Sequence, residues 1–176
     1  MIAAAAPRRY AHRAMATVFG IAVAVEDETV ARRAAAAAFA EADRLEAVLS
    51  RYAPASDVAR ANRLAPGERL AVGPEAFACL ALAEEERRAT GGAFDAAFAT
   101  SPRRAPRTFA LDPVRREVRC RARGLRLDLG GIGKGFALDR MAALLADWGI
   151  GAALLHAGQS TALALGAPPG RAGWRG

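Results

Sequence analysis

The sequence predicts an α+β fold in which helices pack on a mostly antiparallel sheet. Apolar residues recur at intervals of three to four in several long segments, which predicts amphipathic helices. Short segments of alternating apolar and polar residues, separated by Gly, Pro and Asp, predict strands joined by turns. The helices and strand pairs interleave without the regular β-α-β order of a parallel sheet. The chain has 176 residues, enough for one domain with a substantial core.

The N-terminal part of the chain predicts a tail, one strand and one long helix. Residues 1–14, which contain four alanines followed by basic residues and include His12, are assigned to an N-terminal tail. Residues 17–25 alternate and predict a strand. Asp27 is predicted to cap a helix that extends to about Leu49, because the alanine run inside it favours helix.

The middle of the chain predicts two further helices with a short strand between them. Ser56 is predicted to cap a short helix that ends near Leu64. A brief strand is expected at residues 69–72. Pro74 occupies the favoured first position of the next helix, and Gly91 with the following glycine ends it.

The C-terminal part predicts several strands and one more helix. The helix follows a glycine-rich turn and ends at Trp148, where Gly149 stops it. The strands are expected at residues 109–111, 117–121, 125–129, 152–156 and 161–165.

The glycine-rich turn also carries the most distinctive chemistry of the sequence. Lys134 is the only lysine, and it lies within DLGGIGKGFALD, residues 128–139. The glycines allow a tight turn and close approach of a ligand, and the first turn of the following helix suits an anion. The spacing fits neither a Walker A loop nor a dinucleotide fingerprint, because Asp128 and Gly135 stand where the first glycine and the Ser/Thr of a Walker A loop belong. A phosphate or cofactor contact and a glycine loop without a ligand remain the two interpretations.

The composition bears on location and on the class of partner. No run of 18 apolar residues is present, and the N-terminus lacks the polarity of a secretory signal, so a cytoplasmic protein without a membrane span is expected. The net charge of +7 raises the question of nucleic acid. No aromatic RNA-binding pattern or recognition helix accompanies the basic residues, so a solvated hairpin face without nucleic acid is favoured. These residues are Arg103, Arg104, Arg107, Arg115, Arg116, Arg119, Arg121, Arg123 and Arg126.

The two cysteines indicate packing and not redox chemistry. Cys79 lies in a helical pattern and Cys120 in a strand pattern. Because they form no CxxC spacing, both are expected to be reduced.

Five segments resemble motifs of the ApbE family, in the order in which the family shows them. LDLGGIGKGFALDRMAALLADWGI, residues 127–150, is similar to the family signature around the glycine turn. MATVF, residues 15–19, is similar to its opening strand, which usually reads Met-Gly-Thr. Residues 49–62 and 90–95 are similar to its Ser-x-Tyr loop and following helix and to its Gly-Ala-Phe-Asp loop. Residues 154–166 are similar, in altered form, to its strand and Gly-Gly-Asp turn.

This resemblance implies an FAD:protein FMN transferase whose domain begins at residue 15 and continues to residue 176. Such an enzyme transfers FMN from FAD, its substrate, to a Thr or Ser of a partner flavoprotein, and it requires Mg²⁺. Cleavage of the pyrophosphate builds charge on phosphate oxygens, which a hard cation and fixed donors stabilise. Which side chain of this sequence would be catalytic is left unknown by the resemblance. The FAD contacts that it implies are Met15, Tyr52, Ala93, Phe94, Asp95, Asp128 and Lys134. The main-chain carbonyl of Gly131 would help to hold Mg²⁺.

Several of these residues have a structural interpretation as well. Met15 and Phe94 would fill a core equally well, and Tyr52 would serve as a surface aromatic. Asp95 can accept hydrogen bonds from its own loop, and Asp128 can form a turn.

Departures from the family pattern argue against activity of this chain by itself. Ala96 and Ala97 replace the usual Pro-Thr, and Gln159-Ser160 follows Gly158 where the family has Gly-Asp. His156, near a position where the family commonly has Asn, is expected to be partly buried. The remaining Mg²⁺ ligands of the family, an Asp and a Thr, belong to a C-terminal half that has no counterpart in this sequence.

These departures leave other readings of the chain open. It is expected to be a short paralogue, a fragment or one half of a split protein, with the C-terminal half as a partner. The main alternative function is an FAD-binding paralogue or fragment that has lost metal ligation. After the transferase and the FAD-binding paralogue, the third candidate function is that of an arginine-rich module that binds nucleic acid.

Overall fold

A computed structural model describes residues 6–100 and 107–174, and in these ranges it contains seven strands and four helices. The strands are β1 (Arg8–Ala14), β2 (Thr17–Val23), β3 (Arg69–Ala71), β4 (Phe109–Asp112), β5 (Glu117–Cys120), β6 (Ala153–Ala157) and β7 (Thr161–Leu165). The helices are α1 (Glu28–Leu49), α2 (Asp57–Ala61), α3 (Pro74–Ala89) and α4 (Gly133–Asp147). Mixed helices and antiparallel sheets confirm the predicted α+β class. Two compact units are distinguished, one formed by the described residues up to Arg44 and from Lys134 onward, the other by Leu45–Gly133.

A four-stranded antiparallel sheet forms the basis of the first unit. Its strand order is β1-β2-β6-β7. Phe19, Ile21 and Val23 of β2 are buried, as are Ala153 and Leu155 of β6. The central strands therefore carry most of the buried apolar residues of the sheet. Gly20 and Ala22 of β2 are buried as well, so burial along β2 does not follow the predicted alternation.

Strand β1 corrects the assignment of residues 8–14 to a tail. It pairs with β2 over seven residues, from Arg8↔Val23 to Ala14↔Thr17. His12 belongs to this strand, stacks on Phe39 of α1 with ring centroids 5.2 Å apart, and places Nε2 2.7 Å from Asp43 Oδ1. The sequence does not predict this strand, because its several charged residues give no apolar pattern. Such residues are tolerated, and even favoured, in a strand at the edge of a sheet.

The turn between β1 and β2 has an unusual backbone. Met15 and Ala16 form a two-residue connection, and both have positive φ values, 49° and 57°. This pattern matches a type I′ hairpin, which Gly and Asn adopt at lower cost than Ala or Met. The turn therefore contains local strain.

The long helices of the first unit follow the predicted signals. Asp27 Oδ1 accepts hydrogen bonds from the main-chain N–H groups of Thr29 (2.7 Å) and Val30 (3.2 Å), which confirms it as the cap of α1. Helix α4 ends at Asp147, close to the predicted end, and Gly149 follows with φ 75°. The buried residues of the two helices within this unit are Ala31, Ala34, Ala35, Ala38, Phe39, Ala42, Ala137, Leu138, Met141, Ala142 and Leu145.

The second unit contains a three-stranded antiparallel sheet of order β3-β5-β4, together with α2 and α3. In the turn from β4 to β5, Asp112 accepts hydrogen bonds from the main-chain N–H groups of Arg115 and Val114, and these bonds, led by that of Arg115, lower the pKa of the carboxyl group. The seven arginines of the basic stretch that the structure describes, Arg107 to Arg126, are all exposed. Arg103 and Arg104 lie outside the described residues. The described part of the basic stretch is therefore exposed, as predicted.

Two details of the second unit differ from the prediction. Helix α2 ends at Ala61, not near Leu64, and Asn62 is its C-cap. Residues 125–129 alternate between buried and exposed, as predicted, yet they pair with no strand in the described part of the chain. Their main-chain hydrogen bonds go to a side chain and to a loop, as described below.

Both cysteines are free and buried, which confirms their packing role. Burial raises the pKa of the Cys79 thiol to about 12. The Cys120 thiol donates a hydrogen bond to the carbonyl of Ala122 at 3.1 Å. Within the described segments, no helix combines the length and the apolar composition needed to cross a membrane.

Candidate functional site

The glycine turn connects the extended residues 125–129 to α4. The main-chain N–H groups of Ile132 and Gly133 both donate to the carbonyl of Leu129, at 3.0 and 2.7 Å. Asp128 Oδ1 accepts from the N–H of Gly130 at 2.8 Å. The chain thus turns at Leu129 and enters α4, whose first N–H groups have no acceptor inside the helix. An anion placed there would meet free donors and the positive end of the helix dipole.

Side chains approach the backbone closely at two glycines of this turn. A Cβ atom on Gly130 would lie 3.1 Å from Asp128 Oδ1. A Cβ atom on Gly131 would lie 3.1 Å from Cε2 of Phe94. The close approach brings the ring of Phe94, one of the predicted FAD contacts, against the turn.

The loop after α3 is held by its own hydrogen bonds and is bonded to the segment that leads into the glycine turn. Thr90 Oγ1 accepts a hydrogen bond from the N–H of Phe94 at 3.1 Å. Asp95 Oδ1 accepts from the N–H of Ala97 at 2.8 Å, so this carboxylate caps its own loop. The carbonyl of Ala96 accepts from the N–H of Asp128 at 2.8 Å. The predicted 93–95 loop and Asp128 are therefore neighbours in the fold, although 33 residues separate Asp95 from Asp128 in the sequence.

Arg51 and Tyr52 form the other side of this arrangement. Arg51 Nε lies 3.1 Å from Asp128 Oδ2, and the guanidinium carbon lies 4.4 Å from the centroid of the Tyr52 ring. Tyr52 itself is 78% exposed, which leaves its ring open to stack on a ligand. Ser50 Oγ accepts hydrogen bonds from the N–H groups of Tyr52 and Ala53, at 3.2 and 3.3 Å.

The predicted site residues are distributed over both units. Tyr52, Phe94, Asp95, Asp128 and Gly131 belong to the second unit, where the contacts above connect them. Ala93 lies there too and is exposed. Lys134 is the first residue of α4 that belongs to the first unit, and its side chain is half-buried. Met15 also belongs to the first unit, in the β1–β2 turn, and is half-buried. These roles in ligand binding stay predictions.

Two residues near Asp128 are absent from the predicted set. Arg51 pairs with its carboxylate, and Asn62 binds the main chain of the residue before it, Leu127. Arg51 precedes Tyr52 in the sequence, and Asn62 is the last residue of the motif that contains Tyr52. Their position beside a predicted contact could therefore have indicated both residues.

The histidine of β6 is more exposed than expected. His156 lies opposite Gly20 of β2, and a Cβ atom on Gly20 would come within 2.0 Å of His156 Nε2. The imidazole therefore covers the surface left open by the glycine. Its Nδ1 lies 3.2 Å from the carbonyl of Gly158. The expectation of a partly buried histidine was wrong, because the ring lies on the face of the sheet and not beneath it.

The described residues around the glycine turn offer few ligands for Mg²⁺. Among residues 6–100 and 107–174, no three His, Cys, Asp or Glu side chains cluster as metal ligands. Mg²⁺ takes six oxygen ligands, at least some of them carboxylates or phosphates. Asp128, the carboxylate nearest Gly131 in sequence, is already bound by Arg51 and by the N–H of Gly130. The described residues by themselves do not fit this ion.

Sequence comparison decides the family. A profile described as the ApbE family matches residues 15–175. The chain belongs to the ApbE family. No curated protein is similar enough to this chain to count as a match.

Solved structures of ApbE proteins share the fold. The ApbE protein from Thermotoga maritima superposes with a TM-score of 0.80 at 22% identity, over 94% of this chain and 60% of that chain. A mutant of the flavin transferase ApbE from Vibrio cholerae gives a TM-score of 0.80 at 16% identity, over 94% and 64%. The apo form of the flavinyl transferase ApbE from Pseudomonas stutzeri gives 0.76 at 20% identity, over 93% and 62%. The present chain therefore spans less than two thirds of the length of these ApbE structures.

Proposed function

We propose that this ApbE-family chain binds FAD and serves the transfer of FMN from FAD to a Thr or Ser of a partner flavoprotein. The observation that supports the proposal most directly is the glycine turn. Within the second unit, Asp128 of this turn pairs with Arg51, whose guanidinium lies over the ring of Tyr52. In the sequence, the only lysine of the chain follows the glycines of the turn directly. Two of the similar structures are flavin or flavinyl transferases by name.

The chemistry of FAD matches these groups. The pyrophosphate is dianionic, and it would be bound by the N–H groups at the start of α4 and by the ammonium of Lys134. The exposed ring of Tyr52 offers a stacking surface for one of the two ring systems of FAD. Gly130 and Gly131 keep the backbone accessible at the point of closest approach.

The transfer reaction exchanges the phosphoanhydride bond of FAD for a phosphate ester bond to the acceptor. The hydroxyl oxygen of the acceptor attacks the FMN phosphorus, a new P–O bond forms, and the bond to the bridging oxygen breaks. AMP leaves with that oxygen, and the proton of the hydroxyl passes to a base. Charge develops on the leaving phosphate, so fixed donors such as those of the turn would lower the barrier. In the reaction that the resemblance implies, Mg²⁺ would neutralise part of that charge. The described residues do not form its site, so no step is assigned to the metal.

A second candidate is an FAD-binding protein without transferase activity. Ala96 and Ala97 are buried, and neither offers the hydroxyl that the family usually has at this point. Gln159 and Ser160 are exposed at the turn after β6, where the family usually has an acid. These substitutions remove a hydroxyl and a carboxylate from the motifs and leave the glycine turn intact, which favours binding without catalysis.

FAD binding is the first test. We expect the folded chain to bind FAD in calorimetry, and Lys134→Ala to weaken binding roughly ten- to hundredfold, because a hydrogen bond to a charged group contributes about 1.5–3 kcal/mol. Lys134→Arg is the matched control, since it keeps the charge and should retain most of the affinity. Circular dichroism establishes that each variant is folded. A folded wild-type chain that does not bind FAD would contradict the proposal.

Mass spectrometry separates the two candidates. The chain is mixed with FAD, Mg²⁺ and an acceptor flavoprotein, and the acceptor is examined for covalent FMN. Labelling of the acceptor establishes the transferase. FAD binding without labelling supports the second candidate. Labelling that appears only when the C-terminal half of an ApbE protein is added assigns this chain the binding part of the reaction.

A further inference from the structure

The amide of Asn62 takes the place of a neighbouring strand beside residues 125–129. Asn62 Oδ1 accepts a hydrogen bond from the N–H of Leu127 at 2.6 Å, and Asn62 Nδ2 donates to the carbonyl of Leu127 at 3.0 Å. One side chain therefore satisfies both main-chain groups of a buried residue, which is the pattern that a strand partner would supply.

The neighbouring residues in the same segment also have fixed partners. The N–H of Arg126 donates to Thr100 Oγ1 at 2.8 Å, and the N–H of Asp128 donates to the carbonyl of Ala96 at 2.8 Å. Three consecutive N–H groups are thus held by two separate parts of the second unit, Asn62 and the loop that contains Ala96 and Thr100. Of these, only Asn62 binds the carbonyl as well, so it fixes the orientation of the peptide plane that leads into Asp128.

Helix α2 links this contact to the loop that carries Arg51 and Tyr52. Asn62 is the C-cap of α2, and Ser56, its N-cap, accepts from the N–H of Ala59 at 3.0 Å. The hydroxyl of Ser56 donates to the carbonyl of Ser50, the residue before Arg51. One end of this five-residue helix is therefore bound to the Arg51 loop, and the other end is bound to the residue before Asp128.

We propose that Asn62 is a positioning residue that fixes Leu127 and thereby places Asp128 and the glycine turn for the ligand. The inference rests on the proposed FAD binding for the identity of that ligand. It accounts for the exposed ion pair between Arg51 and Asp128, because the residue before each partner is hydrogen-bonded to one end of α2. It also explains how an extended segment can remain ordered without a strand beside it.

The test compares two leucine substitutions in α2 or at its end. Asn62→Leu removes both hydrogen bonds to Leu127 at similar side-chain volume. Asp57→Leu is the control, because Asp57 Oδ2 accepts from the N–H of Gly73 at 2.8 Å and, among the described residues, Asp57 forms no hydrogen bond or ion pair with residues 125–129. Amide hydrogen exchange followed by NMR, urea denaturation and FAD calorimetry are measured on both variants and on the wild type.

We expect Asn62→Leu to raise the exchange rates of Leu127 and Asp128 at least roughly tenfold and to weaken FAD binding about tenfold. Asp57→Leu should lower stability but leave both the exchange of Leu127 and the affinity for FAD near the wild-type values. If Asn62→Leu does not fold, Asn62→Asp serves instead. It keeps the acceptor for the Leu127 N–H and loses only the donor to its carbonyl, so a smaller loss of affinity is expected.

Two results would overturn the inference. One is unchanged FAD affinity in a folded Asn62 variant, and the other is an equal loss of affinity in the Asp57→Leu control, which would reduce Asn62 to a general contribution to stability. Absence of FAD binding by the wild-type chain contradicts the proposed function instead. In that case the exchange rates of Leu127 and Asp128 still decide whether Asn62 fixes the segment.

Discussion

Arg51 and Asp128 form an ion pair, with Nε 3.1 Å from Oδ2, across 77 residues of sequence. Both side chains are nearly half-exposed, at 44% and 47%. Exposed pairs of this kind contribute little to stability, typically below about 1 kcal/mol. The pair can therefore open at low cost when an anionic ligand arrives, and its effect should appear in binding and not in folding.

Substitution of Arg51 tests this distinction. Arg51→Gln leaves the carboxylate of Asp128 without its cation beside a site proposed for a pyrophosphate. We expect FAD affinity to fall several-fold and riboflavin affinity to stay unchanged, because riboflavin carries no phosphate. The unfolding free energy should change by less than about 1 kcal/mol. Arg60→Gln, which breaks another ion pair of the same unit, with the half-buried Asp57, is the control. Equal losses for FAD and riboflavin would show that Arg51 does not act through the phosphates.

Packing at the glycine turn makes a prediction about stability. Gly131→Ala places a methyl group 3.1 Å from Phe94, so the ring must shift by a few tenths of an ångström. We expect a loss of about 1 kcal/mol or more in chemical denaturation, the usual cost of overpacking. Gly133→Ala is the control, since nothing lies within 4 Å of its added Cβ and Ala favours helix. An equally stable Gly131→Ala protein would mean that Phe94 moves freely, and its role beside the turn would then be doubtful.

The β1–β2 turn offers a stabilising substitution. Ala16 has φ 57°, and the motif that this segment resembles usually has glycine there. Ala16→Gly should raise the unfolding free energy by about 0.5–1 kcal/mol, since relief of the left-handed strain exceeds the entropy cost of glycine. The same substitution at Ala36, an exposed residue within α1, should lower it by about 1 kcal/mol. Urea denaturation measures whether each substitution raises or lowers the unfolding free energy. Destabilisation by Ala16→Gly would show that the turn is not strained.

Cys79 predicts a loss of stability at alkaline pH. Its pKa is about 12 in the folded chain against a reference value of 9.0 for an exposed thiol. Below pH 9 both states keep the proton and the thiol adds no pH dependence. Between pH 9 and 12 only the unfolded chain releases it, so the unfolding free energy falls by up to about 1.4 kcal/mol per pH unit. Cys79→Ala should remove this component of the slope in urea denaturation between pH 8 and 11. An identical slope in the variant would show that the thiol ionises equally in both states.

The sequence by itself determined the elements that depend on neighbouring residues. Asp27 and Ser56 cap their helices as predicted, because a cap needs only the N–H groups two or three residues ahead. Gly149 follows the end of α4 for a similarly local reason, its positive φ. The ordered motifs were sufficient for the family and for the α+β class, and they located the glycine turn.

Tertiary structure decided everything that depends on a distant partner. Strand β1 exists because β2 pairs with it, and its arginines and His12 gave no apolar signal for that pairing. Residues 125–129 show strand-like alternation, yet the partner of Leu127 is Asn62, 65 residues away, and not a strand. Alternation reports which face of a segment is buried and carries no information about what lies beside its backbone. The arrangement of Asp128 within the candidate site was therefore set by contacts between segments that are remote in the chain.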